Sequence, residues 1–293
     1  MTAESPALIR FVLALVAALV AACVTPAPAP AIERLVVFGD SNVDNGNMFR
    51  LSGGTNPGPP NWRGRNSNGP VLVEYLAQSL GARLEDHAVS GATTGRFNMS
   101  IWVAPELRDI APTGVLSQLD GFERGGGKLG PADVVIVCAA SNDLFGASRD
   151  DKVDWDRRVA AAGANLQAAL ERLGALGARR IVVINRLPRA SGNLADDADI
   201  NAAIAAAVAN PAVAPGARVE LYDAHASVRR MMAEPSRYGF ADANAECLAV
   251  RECVSERFEE GQRVADRFIH FDGAHKTTRV HRLLADQLYA VLR

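Results

Sequence analysis

RLVVFGDSN, residues 34–42, sets a β-branched apolar run directly against a Gly-Asp turn and a serine. Four apolar residues in succession have no polar face, which is the pattern of a strand buried on both sides of a parallel sheet. Similar runs recur at 134–138 (VVIVC), 181–184 (IVVI) and 218–222 (RVELY), with a weaker one at 83–89. Helical stretches fall between and after them, at 69–80, 153–176, 199–208 and 274–293. Strands alternating with helices predict a three-layer α/β/α sandwich whose parallel sheet is doubly wound or flavodoxin-like. The segments 45–68 and 94–130 are expected as long loops, the second shaping a substrate cleft.

In such sheets ligands bind outside the carboxyl ends of the strands. Three of those ends are polar: GDSN at 39–42, SGA at 90–92 and SND at 141–143. Ser41 would project its hydroxyl at the mouth of the sheet, the placement a nucleophile needs. A serine also needs a base, and Asp272-Gly-Ala-His275 offers one. A carboxylate three residues before a histidine, across a turn, can bond one ring nitrogen and leave the other facing the serine. The Gly91 N–H and the Asn142 side chain, together with the Ser41 N–H, would be the donors of an oxyanion hole. Against this stand the plainer readings of Ser41 as a helix cap and of Asp272 and His275 as a surface turn. Asp40 and Asp44 are assigned structural roles, the second in an Asp-Asn-Gly turn. Trp62, Trp102, Phe97, Met48 and Phe49 either line a pocket or pack on the sheet.

With 48% hydrophobic and 22% charged residues in 293, the chain has the composition of a folded protein, not of a disordered or collagen-like one. Thirty-one basic against 33 acidic residues give a net charge of −2, so no basic field exists to hold nucleic acid phosphates. Residues 7–23, ALIRFVLALVAALVAAC, carry one charge and an apolar run too short for a comfortable membrane span. They predict a signal peptide over 1–22. The run ends in VAAC at 20–23, which resembles a lipoprotein processing site, so Cys23 is the expected lipid anchor. Residues 23–33 read as a Pro/Ala tether, and 34–293 as the folded domain. The protein is thus expected to be exported, as a periplasmic or outer-membrane lipoprotein, or secreted if Cys23 is not lipidated. The chain beyond His275 is too short for a membrane barrel, so the N-terminal segment alone is expected to carry export. In an oxidising compartment Cys247 and Cys253, six apart in a loop-like stretch, are expected to pair, while Cys138 lies in an apolar run as a buried thiol. No metal site is expected, because no zinc-ligand spacing is present and His87, His225, His270 and His281 read as structural.

Five blocks extend this reading: FGDSNVDNGN at 38–47, NSNGPVLVEYLA at 66–77, AVSGATTG at 88–95, VVIVCAASNDL at 134–144 and FDGAHKTTRVHRLLAD at 271–286. In order and spacing they resemble the blocks of the GDSL (SGNH) hydrolase family, in its bacterial lipase/esterase branch. The resemblance implies the SGNH hydrolase fold and a triad of Ser41, His275 and Asp272. It implies Ser41, Gly91 and Asn142 as oxyanion donors, and no cofactor. The expected activity is hydrolysis of carboxylic esters of short-chain, lipid or acylated-carbohydrate type through an acyl-enzyme. An acyltransferase using the same triad and a catalytically inactive surface binding protein are the alternatives. The expected partners are a small-molecule or lipid ester and, through a modified Cys23, a membrane. Three positions depart from the family pattern. Asn42 replaces a leucine and makes the wall beside Ser41 more polar. Ala140 replaces a glycine and is expected to crowd the loop that aims Asn142. Lys276 replaces a proline and brings a positive charge beside His275.

Overall fold

The apolar runs become five parallel strands: β1 (Arg34–Gly39), β2 (Arg83–Asp86), β3 (Asp133–Cys138), β4 (Arg180–Ile184) and β5 (Arg218–Tyr222). Their order across the sheet is β2-β1-β3-β4-β5, the flavodoxin-like arrangement, whose switch point lies between β1 and β3. Register is continuous across it, with Val36 opposite Val135 and Gly39 opposite Cys138. The computed structural model describes residues 31–100, 104, 107–110, 112–191, 194–210, 212–255 and 264–293. The expected signal peptide, Cys23, the first eight residues of the tether and Trp102 lie outside the described residues. Ile32–Arg293 form one compact unit.

Successive residues of a strand point to opposite faces, and the two cores divide accordingly. Val36, Phe38, Val135, Val137, Ile181 and Val183 pack under three helices, α2 (Val115–Arg124), α3 (Lys152–Ala175) and α4 (Leu194–Ala209). Leu35, Val37, Val134, Ile136, Cys138, Val182 and Ile184 pack under α1 (Leu72–Leu80), α5 (Ala224–Ala233) and α6 (Thr278–Leu292). The three-layer sandwich read from the alternation is the fold. Each fully buried Val, Leu or Ile contributes roughly 1.5–3 kcal/mol, so the two cores dominate its stability. Among the described residues no helix is long and apolar enough to cross a membrane.

The structure differs from the sequence reading in several places: α5 (Ala224–Ala233) follows β5 where no helix is expected, and residues Asn47–Leu51 inside the expected loop 45–68 form a short helix. The stretch 94–130 is not all loop, because Val115, Leu119 and Phe122 recur at helical spacing and bury one face of α2. The last helix begins at Thr278, not at 274, because the Asp272 carboxylate accepts the Ala274 and His275 N–H groups and holds those residues in a turn. A second, two-stranded parallel sheet pairs β6 (Asp242–Glu246) with β7 (Phe268–His270) and supports that turn.

Candidate active site

Ser41 stands just beyond β1 because the strand ends in a residue with no side chain. A Cβ on Gly39 would lie 2.1 Å from the Cys138 carbonyl oxygen, so only glycine lets β1 run this close to β3 at its exit. Gln118, reaching from α2, accepts from the Gly39 N–H at 2.9 Å and donates to its carbonyl at 2.8 Å. The chain then turns tightly, with the Val43 and Asp44 N–H groups on the Asp40 carbonyl. Asp40 is fully buried, and burial pushes its pKa up. Its carboxylate accepts the Asn42 backbone N–H at 3.0 Å and the Asn42 side-chain amide at 2.9 Å. The polar Asn42 therefore folds back on Asp40 while still lining the cleft beside Ser41. Asp44, also buried, accepts N–H groups from Gly46, Asn47, Met48 and Ser90, which ties the Ser41 turn to the Gly91 loop.

His275 Nε2 lies 2.9 Å from Ser41 Oγ. On the other side of the ring, Nδ1 lies 2.8 Å from one Asp272 carboxylate oxygen and 3.0 Å from the other. Burial alone would raise the Asp272 pKa. The hydrogen bond and charge of His275 outweigh it, with the His275 and Ala274 backbone N–H groups adding to them, and hold the carboxyl well below the usual carboxylate range. The acid is thus an anion at neutral pH, fixed by Ala274 and His275 of its own turn. Sequence reasoning gave no individual role to the NSNGP block, which holds the histidine loop from outside. Ser67 donates to the Lys276 carbonyl at 2.9 Å, Asn68 accepts the Thr278 N–H at 2.9 Å, and Pro70 accepts the Thr278 hydroxyl at 2.8 Å.

The oxyanion candidates come from the two loops that flank Ser41. Gly91 has φ 83°, and a Cβ there would lie 2.0 Å from Ser100 Oγ and 2.4 Å from Asn98 Oδ1. Among the described residues the Ser41 and Gly91 N–H groups donate to no backbone or side-chain acceptor. Asn142 Nδ2 donates to the Ala92 carbonyl at 2.9 Å, which leaves its second N–H to point elsewhere. Next to it Asp143, pushed up to about 6 by burial, accepts the Thr94 backbone N–H and hydroxyl and ties the two loops together. Ala140 is buried in the left-handed conformation at φ 84°. The loop keeps the glycine-type turn despite the side chain, at a cost of about 1–2 kcal/mol.

Two cavities meet at Asn142. One, about 280 Å³, is lined largely by apolar groups, among them Phe97, Met99 and Phe145, with Thr93, Asp143 and Arg158. The other, about 30 Å³, is polar and runs past Ser41, Asn42, Ser141 and His275 to Arg186 and Arg189. Phe97 lines the larger cavity, whereas Met48 is buried against Val89, Ala104 and Leu107. The two arginines were not anticipated. They follow β4, and the rule that polar residues at strand ends mark the site applies to Asn185-Arg186-Leu-Pro-Arg189 as it does to the other three ends.

Elsewhere, Cys247 and Cys253 are bonded as a disulfide with Cα atoms 5.5 Å apart, and burial pushes the Cys138 thiol up. Lys276 is fully buried, donates to the Ala274 carbonyl at 3.2 Å, and has its pKa lowered to about 7, chiefly by desolvation. His270 and His281 are buried in the same region and are both pushed down to about 3 by desolvation. Among the described residues no group of three or more His, Cys, Asp or Glu is placed to hold a metal ion.

A family model described as GDSL-like lipase/acylhydrolase matches residues 35–288. The thermolabile hemolysin of Vibrio parahaemolyticus is 28% identical over 280 residues, covering 88% of this chain and 63% of that protein. The phosphatidylcholine-sterol acyltransferase of Aeromonas hydrophila is 29% identical over 234 residues, covering 74% of this chain and 66% of that protein. The chain thus spans just under two thirds of the length of each. Among solved structures, an acetylxylan esterase from Geobacillus stearothermophilus matches 89% of this chain and 94% of its own at 13% identity and a TM-score of 0.45.

Proposed function

The chain belongs to the GDSL-like lipase/acylhydrolase family, and from that premise we propose that it is a serine esterase that hydrolyses carboxylic esters through an acyl-enzyme. The observation that carries this reading is the unbroken line from Ser41 Oγ through His275 to Asp272, at 2.9 and 2.8 Å. Ser41 Oγ attacks the ester carbonyl while His275 Nε2 takes its proton. The Asp272 anion on Nδ1 fixes the tautomer that presents Nε2 as the acceptor and stabilises the imidazolium. The carbonyl oxygen, now negative, is held by the N–H groups of Ser41 and Gly91 and the second Asn142 N–H. His275 returns the proton to the leaving alkoxide, and the alcohol departs. Water then attacks the acyl-enzyme by the same proton relay and releases the acid and Ser41.

The cavity of about 280 Å³ sits at the small end of ligand pockets and suits a short acyl chain. Asn42 in the wall beside Ser41 supports the same choice. The Aeromonas relative is named as an acyltransferase, and an acyl-enzyme of this kind can equally pass its acyl group to an alcohol. Hydrolysis of p-nitrophenyl esters from acetyl to palmitoyl, beside Ser41→Ala and with glycerol or a sterol as competing acceptor, tests both. The expected result is Ser41-dependent release that falls with chain length, with the free acid as main product. Full activity in Ser41→Ala overturns the reading.

The protein is further proposed to be exported and anchored through a lipid on Cys23, a reading that rests on the apolar stretch ending at that residue. Labelling of the wild-type chain, but not of Cys23→Ser, by a radioactive fatty acid in cells is expected. Equal labelling, or none, removes the anchor.

A further inference from the structure

The cleft that holds Ser41 and His275 ends in two arginines that neither the triad nor the oxyanion hole uses. Arg186 is 6% exposed and its ion partner, Asp197, 2%. The contact between them is a single one, Nε to Oδ1 at 3.3 Å, and the Arg186 Nη1 atom is buried with no hydrogen-bond partner. Its backbone is fixed, the N–H on Asn201 Oδ1 at 2.9 Å and the carbonyl accepting from Asn201 Nδ2 at 3.2 Å. Arg189, three residues on, is exposed at the mouth and makes no ion pair among the described residues. A buried guanidinium N–H without an acceptor is costly and is rarely left so without use. A planar fork beside a second cation fits an anionic oxygen group.

Direction follows from the chemistry. His275 protonates the leaving alcohol, so the alcohol half of the ester lies on the His275 side of Ser41. Arg186, Arg189 and His275 line one and the same cleft, whereas the apolar cavity opens beyond Asn142. On the esterase reading above, we infer that Arg186 and Arg189 are specificity-determining residues that select esters whose alcohol half carries a negative charge, a phosphate or a carboxylate. The acyl chain enters the apolar cavity, and the anion completes the unpaired face of Arg186. Desolvation already disfavours the charged guanidinium there, and a bound anion relieves that cost.

The test compares substrates that differ only in charge: 4-acetoxybenzoate with 4-acetoxybenzamide, and 1-butyrylglycerol 3-phosphate with 1-butyrylglycerol. The ratio of kcat/KM within each pair is measured in the wild type, Arg189→Gln, Arg186→Gln and the double variant Arg186→Gln with Asp197→Asn, which leaves no unpaired buried charge. Taking ratios within each variant cancels any loss common to both substrates. The wild type is expected to prefer the anion by about tenfold in at least one pair, and that pair identifies carboxylate or phosphate as its natural form. The preference is expected to fall toward unity in each variant. A wild-type ratio near one in both pairs, or an unchanged ratio in Arg189→Gln and the double variant, overturns the inference. If no ester is turned over, the esterase reading fails. Calorimetric titration of 4-hydroxybenzoate and inorganic phosphate into Ser41→Ala then decides the arginine pair by itself. Binding lost with Arg189→Gln upholds the anion site, and absence of binding removes it.

Discussion

The Ser67 hydroxyl donates to the Lys276 carbonyl at 2.9 Å, joining the segment before α1 to the residue that follows His275, 209 positions later in the chain. Both residues are fully buried. Ser67→Ala leaves that carbonyl unsatisfied, which costs about 1–3 kcal/mol of stability. Because Ser67 reaches the reaction only through the position of His275, kcat is expected to fall about tenfold with KM little changed. Chemical denaturation beside steady-state kinetics separates the two effects. A drop in stability with unaltered kcat would show that the histidine loop keeps its place without this bond.

Asn142 is held by its bond to the Ala92 carbonyl, which leaves its second N–H for the oxyanion in the mechanism proposed above. Asn142→Ala removes a donor that acts only once charge develops. It is expected to lower kcat by roughly 10²–10³ and leave KM close to that of the wild type. Labelling of Ser41 by a fluorophosphonate should slow in parallel, since that reaction also places negative charge on oxygen. Retained kcat in a folded variant would take Asn142 out of the oxyanion hole.

The sheet was legible in the sequence because strands buried on both faces read as unbroken apolar runs, and Leu35–Phe38 and Val134–Cys138 are such runs. The line from Ser41 through His275 to Asp272 was legible because Asp272 and His275 are close in sequence and Ser41 closes a strand. Helix α2 was hidden by Gly114, Gly121 and the glycines at 125–127, which read as loop although Val115, Leu119 and Phe122 keep helical spacing. Strand β6, Asp-Ala-Asn-Ala-Glu, has only two alanines on its apolar face and lacks β-branched or aromatic residues, so its pairing with β7 has no strong local signal. Arg186 and Ser67 were missed for a shared reason. Their roles depend on partners, Asp197 and Lys276, that only the folded chain brings within reach.

Two left-handed positions flank the site, and they are expected to respond oppositely. Gly91→Ala drives a methyl group into Ser100 and Asn98, whose amide holds the Ser90 carbonyl and whose carbonyl accepts the Ser100 N–H. Both stability and kcat should drop. Ala140→Gly removes a left-handed penalty of about 1–2 kcal/mol and restores about 0.4–1 kcal/mol of chain entropy to the unfolded state. The variant is expected to be more stable by about 0.5–1 kcal/mol, with kcat at least equal to that of the wild type. A destabilised Ala140→Gly would mean that the Ala140 methyl, buried in the core under α2 to α4, contributes more by packing than the turn loses by strain.

Lys276 carries a charge into the interior where the family pattern has none. Its folded pKa of about 7 lies below the ordinary lysine value of 10.5, because desolvation disfavours the ammonium. Between pH 7 and 10.5 the unfolded chain therefore binds more protons than the folded one, and the contribution of Lys276 to stability rises with pH across that window. Below pH 7 the full cost of the buried ammonium is present; above 10.5 it is gone. Lys276→Met, which keeps the length and removes the charge, should stabilise the protein at pH 6 by about 3 kcal/mol more than at pH 9.5. Nearby His270 and His281, lowered to about 3, act in a lower window, since they cost stability only as pH falls below about 6.5. The Lys276 charge contributes to lowering both rings, but desolvation is the larger cause and keeps them neutral in the folded chain at pH 6 and above, so the difference between wild type and Lys276→Met reports the lysine. Denaturation midpoints at the two pH values give that difference directly, and a gain equal at both would mean that Lys276 keeps an ordinary pKa in the folded chain.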